Sequence, residues 1–215
     1  METLLVINSS GRRTRSITRR LTDSFTEQWT AQRPGSVVIQ RDIGVAPPPP
    51  VNEMWISAAF SQPEQHTPEM RNSLAISDEL IDEVQRADAI VIGTPIYNFG
   101  PPAQLKAWVD QVVRAGVTFG FDPTNKTNPY SPLLQPKPVT VIVSAGDGAM
   151  HPGGAFWPMN HLEPHLQTVF NFIGLGQAEF VRIGYDEFQD ERLQHSLAQA
   201  EKQIAALTRA PACCR

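Results

Sequence analysis

Five short apolar runs, separated by stretches with helical periodicity, constrain this chain more than any other feature of its sequence. The runs are "TLLVIN" (3–8), "SVVIQR" (36–41), "AIVIGT" (89–94), "PVTVIVSAG" (138–146) and "AEFVRIG" (178–184). Most are unbroken rather than alternating, as expected of strands buried on both faces. Between the first two, Ile17, Leu21, Phe25 and Trp29 recur every fourth residue and mark one face of a helix over 16–31. Further helices are predicted over 74–88, 101–116, 160–174 and 187–208. Pro101 and Pro102 suit the first turn of the 101–116 helix, and Gly116 is placed to end it. Residues 43–72, with "APPPPVNEMW", break the rhythm; thirty such residues are expected to be an ordered excursion with a short helical piece near 52–60. Regular alternation of this kind builds an α/β fold: one parallel sheet of five strands covered by helices on both faces, a three-layer doubly wound domain over 1–210.

In such sheets, ligands sit beyond the carboxyl ends of the strands. Three loops are therefore of interest, after Asn8, after Gly93 and after Val143. The first, "NSSGRRTRSITRR", has neither of the glycine patterns that hold nucleotide phosphates. It offers hydroxyls at Ser9, Ser10, Thr14, Ser16 and Thr18 among five arginines. Cations are unfavourable at a helix start, where the peptide dipoles already leave positive charge. A phosphate bound there would reverse that. The alternative is a solvated arginine surface on which Ser16 or Thr14 merely caps the helix. The second loop sets Tyr97, Asn98 and Phe99 on a turn where a planar ring could lie. The third, "SAGDGAMHPGG" (144–154), has glycines that permit close backbone approach.

Composition narrows the classes further. The chain carries 18 Lys and Arg against 22 Asp and Glu. Five of its arginines lie within 12–20, so the remainder is clearly acidic. That excludes the broad basic face of a nucleic-acid binder and suits a small anionic ligand. No apolar run approaches the roughly 18 residues that cross a bilayer, so no membrane association is expected. "METLLVINSS" is too short and too acidic for a signal peptide, so a cytoplasmic location is expected. Cys213 and Cys214 form no disulfide framework, and 211–215 reads as a flexible tail. His151, His161 and His165 lack Cys or Glu at ligand spacing, so no metal is expected.

The stretch P-x-Y-N-F-x-x-P-x-Q-L-K-A-W-V-D-x-V-x-R-A-G-V-T-F, read from Pro95 to Phe119, strongly resembles the FMN-dependent NADH-azoreductases, also described as FMN-dependent NAD(P)H:quinone oxidoreductases. The likeness extends to the serine loop, "FTEQW" (25–29), "LAISDELIDEV" (74–84) and "IGLGQAEFVRIGYDEF" (173–188). It implies a flavodoxin-like homodimer with FMN at the interface, NADH or NADPH as electron donor, and quinones or azo compounds as acceptors. Carried over by position, Ser10 and the turn Ser16, Ile17, Thr18 would hold the FMN phosphate. Ile96, Tyr97, Asn98 and Phe99 would line the isoalloxazine, and Ser144, Ala145, Gly146 and Asp147 would border it. The third loop departs from the family's usual Ser-Arg-Gly-Gly, and the Asp147 side chain is expected to point away from the flavin. Arg12, Arg13 and Arg15 are expected near the FMN phosphate or the donor's pyrophosphate, whereas Arg19 and Arg20 are expected to be solvated. Phe156 or Trp157 is a candidate for the substrate face. No side chain is assigned as general acid; His151 is the nearest proton source by sequence, or else a surface-loop histidine. The competing readings are an NAD(P)H-dependent FMN reductase, an electron-carrier flavodoxin, and a thiol sensor using Cys213 and Cys214.

Overall fold

The five apolar runs lie side by side in the computed structural model, which describes residues 1–209. In chain order the elements are β1 (Thr3–Asn8), α1 (Ile17–Ala31), β2 (Val37–Asp42), α2 (Glu53–Ala59), α3 (Pro68–Arg86), β3 (Ala89–Pro95), α4 (Ala103–Val112), β4 (Phe119–Phe121), β5 (Tyr130–Pro132), β6 (Val139–Ser144), α5 (Leu162–Ile173), β7 (Ala178–Ile183) and α6 (Glu191–Arg209). The main sheet is all parallel in the order β2-β1-β3-β6-β7. This is the flavodoxin-like doubly wound order. Its register pairs Asn8 with Gly93 and Pro95 with Ser144, so the first three candidate loops leave the same edge.

Successive strand residues point to opposite faces. Leu5, Ile7, Ile90, Ile92, Val141 and Val143 pack with buried residues of α3, α4 and α5. Leu4, Val6, Val91, Ile142 and Val181 pack beneath α1 and α6. With both faces covered, every side chain of β6 is buried, which is why its sequence reads as an unbroken apolar run.

The short helical piece expected near 52–60 is present as α2, capped by the Asn52 side chain accepting from Trp55 N at 2.9 Å. The structure differs from the sequence-based expectation in three places. Helix α3 starts at Pro68, six residues earlier than 74, since Thr67 caps it and Pro68 takes the first turn. Helix α4 stops at Val112, before Gly116: the Arg114 amide donates to Thr118 Oγ1 at 2.8 Å instead of continuing the ladder. Gly116 (φ 74°) serves the turn that follows, with its amide on Phe119 O at 2.8 Å. That turn leads into the β4–β5 hairpin, which the sequence did not signal. Residues 211–215, with Cys213 and Cys214, lie outside the described residues.

Candidate functional site

The first loop turns immediately after β1. Ser9 binds the Gly93 carbonyl through its amide at 2.9 Å and its hydroxyl at 3.2 Å. The Ser10 hydroxyl accepts from the Arg12 amide at 3.2 Å, and Ser16 caps α1 by accepting from the Arg19 amide at 3.3 Å. Arg19 is not solvated. Its guanidinium makes a two-pronged pair with Asp42 at the end of β2, and donates to the Ser10 carbonyl at 2.8 Å and the Arg12 carbonyl at 3.0 Å. The physical reason is the parallel register, which sets Asp42 beside Asn8, within reach of the first turn of α1. The pair holds the Asp42 carboxyl below its ordinary range and raises Arg19. Arg20 remains exposed.

The second loop is a tight turn. Tyr97 and Gly100 exchange both backbone hydrogen bonds at 3.0 Å, with Asn98 (φ 46°) and Phe99 (φ 72°) between them. Two left-handed residues in succession are what a type I′ turn demands, and for a phenylalanine this conformation costs about 1 kcal/mol or more. The Phe99 ring is left exposed.

The third loop starts at Ser144, whose carbonyl accepts from the Ile96 amide at 2.8 Å. The Asp147 carboxylate turns back on its own turn, accepting from the Ala149 amide at 2.9 Å. His151 is neither on a solvated surface loop nor on the cavity wall described below. It is partly buried against Gly184, and its Nε2 has no partner among the described residues. Burial lowers its pKa, with Glu163 opposing and Arg182 assisting.

A fourth segment, after β7, completes the site, and sequence reasoning missed it. Tyr185 sits at φ 68°, and Asp186 pairs with Arg12 at 3.2 Å. The Glu187 carboxylate lies directly over Gly146: a Cβ there would stand 2.5 Å from its carboxyl carbon. Any larger residue at 146 would have to displace the Glu187 carboxylate.

These segments enclose a cavity of about 120 Å³. Ser10, Ser16 and Ile17 line it from the first loop, Ile96 and Tyr97 from the second, Ser144 and Gly146 from the third. Pro95, Arg12, Arg15, Asp186 and Glu187 complete the wall. The structure does not bring Thr18, Asn98, Phe99, Ala145 or Asp147 onto it. Thr18 and Ala145 are buried behind it, with Thr18 Oγ1 3.1 Å from Ser16 Oγ. Arg15 lines the cavity without pairing to a carboxylate among the described residues, and Arg13 is exposed and off the wall. Phe156 and Trp157 are likewise off it. One end of the cavity is cationic and hydroxylated, against the start of a helix; the other is flat and apolar at Pro95, Ile96 and Tyr97. Such a site suits a ligand with an anionic group at one end and a planar ring at the other.

Comparison with known proteins gives a consistent result. The profile of the Flavodoxin_2 family, described as flavodoxin-like fold, matches residues 2–207. An "FMN-dependent NADH:quinone oxidoreductase" of Opitutus terrae is 52% identical over 204 residues, covering 95% of each chain. An "FMN-dependent NAD(P)H:quinone oxidoreductase 1" of Pseudomonas aeruginosa is 39% identical over 210 residues, covering 97% of this chain and 99% of that one. Among solved structures, an FMN-dependent NADH-azoreductase from Bacillus anthracis in complex with FMN superposes with a TM-score of 0.82 at 22% identity, covering 97% of this chain and 100% of that one. Among the described residues no helix is long and apolar enough to cross a membrane.

Proposed function

Because the chain belongs to the Flavodoxin_2 family, and within it to the FMN-dependent NADH:quinone oxidoreductases, we propose that its cavity holds FMN and that the protein passes two electrons from NADH or NADPH to quinones and azo compounds. The observation that carries this reading is the convergence of the three strand-end loops on one cavity with a phosphate-like end and a ring-like end. The donor set fits. The Ser10 and Ser16 hydroxyls, the first backbone N–H groups of α1 at Ile17 and Thr18, and the Arg15 guanidinium, which pairs with no carboxylate among the described residues, are the partners a phosphate monoester needs. Pro95, Ile96 and Tyr97 offer the apolar wall for a tricyclic ring.

When bound, FMN supplies the hydride-accepting and electron-donating chemistry. The chain positions it. The Arg19 brace fixes the phosphate loop, and the strained turn at Asn98 and Phe99 fixes the edge of the ring site. Donor and acceptor would occupy one face of the flavin in turn, giving ping-pong kinetics, and no side chain is assigned to proton delivery. Thr18, Asn98, Phe99, Ala145 and Asp147 would then act on the flavin through the backbone or from behind the wall. We further read 1–210 as one domain acting in the cytoplasm as a homodimer with FMN at the interface. The exposed rings of Phe121 (56% accessible) and Tyr130 (48%) support an apolar contact surface of that kind.

The test is direct. The purified protein should be yellow, release FMN on denaturation, and be bleached by NADH or NADPH without oxygen and without a protein partner. A colourless chain that FMN cannot reconstitute would overturn the assignment.

A further inference from the structure

The cavity wall carries four charged side chains, Arg12, Arg15, Asp186 and Glu187. Arg12 and Asp186 pair with each other at 3.2 Å. Arg15, on the first loop, answers a phosphate. Glu187 is the charge left over: its carboxylate has no hydrogen-bond or ion-pair partner among the described residues. Its place is fixed by the loop that carries it. After β7 the Gly184 amide donates to Ser196 Oγ of α6 at 3.0 Å, and Tyr185 turns the chain at φ 68°. The side chains of Tyr185 and Glu187 then come down on two glycines of the third loop. A Cβ at Gly148 would run into the Tyr185 ring, and one at Gly146 would stand 2.5 Å from the Glu187 carboxyl carbon. The Glu187 amide donates to the Gly146 carbonyl at 3.4 Å. Arg192, the cation nearest in sequence, is turned elsewhere. It stacks on Tyr185 and Phe188, 4.8 and 4.3 Å from their ring centroids, and pairs with Asp190 at 2.6 Å. The third loop starts at Ser144, whose register partner is Pro95. The fold therefore seats an uncompensated carboxylate toward the flat apolar end of the cavity, whereas the Asp147 carboxylate is spent on the Ala149 amide.

We propose that Glu187 sets the reduction potential of the bound flavin, keeping it more strongly reducing than the same cavity without this carboxylate. The inference rests on the reading of the cavity as the flavin site. Hydride transfer from NADH or NADPH carries two electrons and one proton to the ring; the donor leaves as NAD⁺ or NADP⁺, and the ring site gains one negative charge. Passing that hydride equivalent to a quinone, with one proton from water, gives the quinol and returns the ring to neutrality. A fixed carboxylate repels the charge that the first step adds and the second removes. It works against loading and in favour of delivery, which extends the range of acceptors toward those of low potential.

Equilibration of the FMN-loaded full chain with a redox dye of known potential, without oxygen, tests this. Glu187→Gln keeps the shape of the side chain over Gly146 and removes its charge. It should hold reduced FMN, relative to oxidised FMN, about three- to tenfold more tightly than the wild type does, a rise in the two-electron potential of about 15–30 mV. Because Glu187 is exposed, the rise should shrink in 1 M salt, where the screening length is about 3 Å. Glu191→Gln, an exposed acid in the first turn of α6 and off the wall, should leave the potential unchanged, and both variants should melt with the wild type. An unchanged potential in Glu187→Gln, or an equal rise in Glu191→Gln, overturns the proposal. So does a lower potential with looser binding of oxidised FMN, which would make Glu187 a hydrogen-bond acceptor for the flavin rather than a repelling charge. A chain that takes up no FMN overturns the flavin reading itself, whereas an FMN-loaded Glu187→Gln chain with an unshifted potential overturns this proposal alone.

Discussion

Arg19 ties its own helix, α1, to two other segments with one side chain: the end of β2 through Asp42, and the first loop through the carbonyls of Ser10 and Arg12. Replacing it with alanine removes charge-assisted bonds and leaves two loop carbonyls without a donor. Arg19→Ala should cost about 2 kcal/mol in urea unfolding and loosen FMN, while Arg19→Lys, lacking the planar fork, should restore only part of either. The same pair sets an acid limit. The Asp42 carboxyl is depressed below its ordinary value of 3.8, so its stabilisation is present above that pH and is lost as pH falls through the lower folded value. The acid limb below pH 4 should flatten in Arg19→Ala. His151 acts in a different window. Its pKa is lowered from 6.5 by burial, with Glu163 and Asp147 opposing and Arg182 assisting. The unfolded chain therefore binds the proton more readily, and stability should decline as pH falls through 6.5, levelling off once the folded histidine is also protonated. Chemical denaturation between pH 5 and pH 7.5 measures this slope, which His151→Gln should remove.

At the scale of elements, the excursion between β2 and α3 is fastened by one glutamine of α4. Gln111 accepts from the Trp55 indole at 2.8 Å and donates to the Pro49 carbonyl at 2.8 Å, while its own carbonyl accepts from Ser77 Oγ at 2.6 Å. Gln111→Leu strands a buried indole N–H and a carbonyl together. It should cost about 2–3 kcal/mol, and limited proteolysis should then cut first within 43–66. A polar residue on the apolar stripe of a helix was not legible as a fastener, because its partners lie 56 and 62 positions away. The strands of the sheet were legible for the opposite reason: burial on both faces leaves an apolar run that needs no partner to be recognised. The β4–β5 hairpin was invisible, since three-residue strands carry no period. It is held instead by ring contacts, Phe119 with Phe172 at 4.8 Å and Tyr130 with Phe172 at 5.6 Å between centroids. The site divides in the same way. Topology pointed to the loops after Asn8, Gly93 and Val143, which line the cavity. The loop after Ile183 leaves the same sheet edge, so the rule that found the first three reaches Asp186 and Glu187 once applied to every strand.

At the scale of the whole molecule, one group of apolar side chains left in solvent lies on and beside the β4–β5 hairpin. Phe121, Tyr130 and Leu133 are about half accessible, and the first two rings lie 5.4 Å apart. If this face joins the proposed homodimer, Phe121→Ser with Tyr130→Ser should shift the protein from twice the chain mass to once in light scattering, without lowering its melting temperature by more than a few degrees. The sheet has one more consequence, which concerns how the molecule is made rather than how it works. Strand β1 lies between β2 and β3, with Leu4 opposite Val38 on one side and Ala89 on the other. The first strand synthesised must therefore wait for the third before both its edges are covered, and β7, at the far edge, docks only when nearly the whole chain exists. Because the loop after β7 supplies the last wall of the cavity, a nascent chain has hydroxyls and arginines but no enclosed pocket. Cofactor capture thus belongs to the finished polypeptide, and cofactor supply acts on the stability of the folded product rather than on its translation.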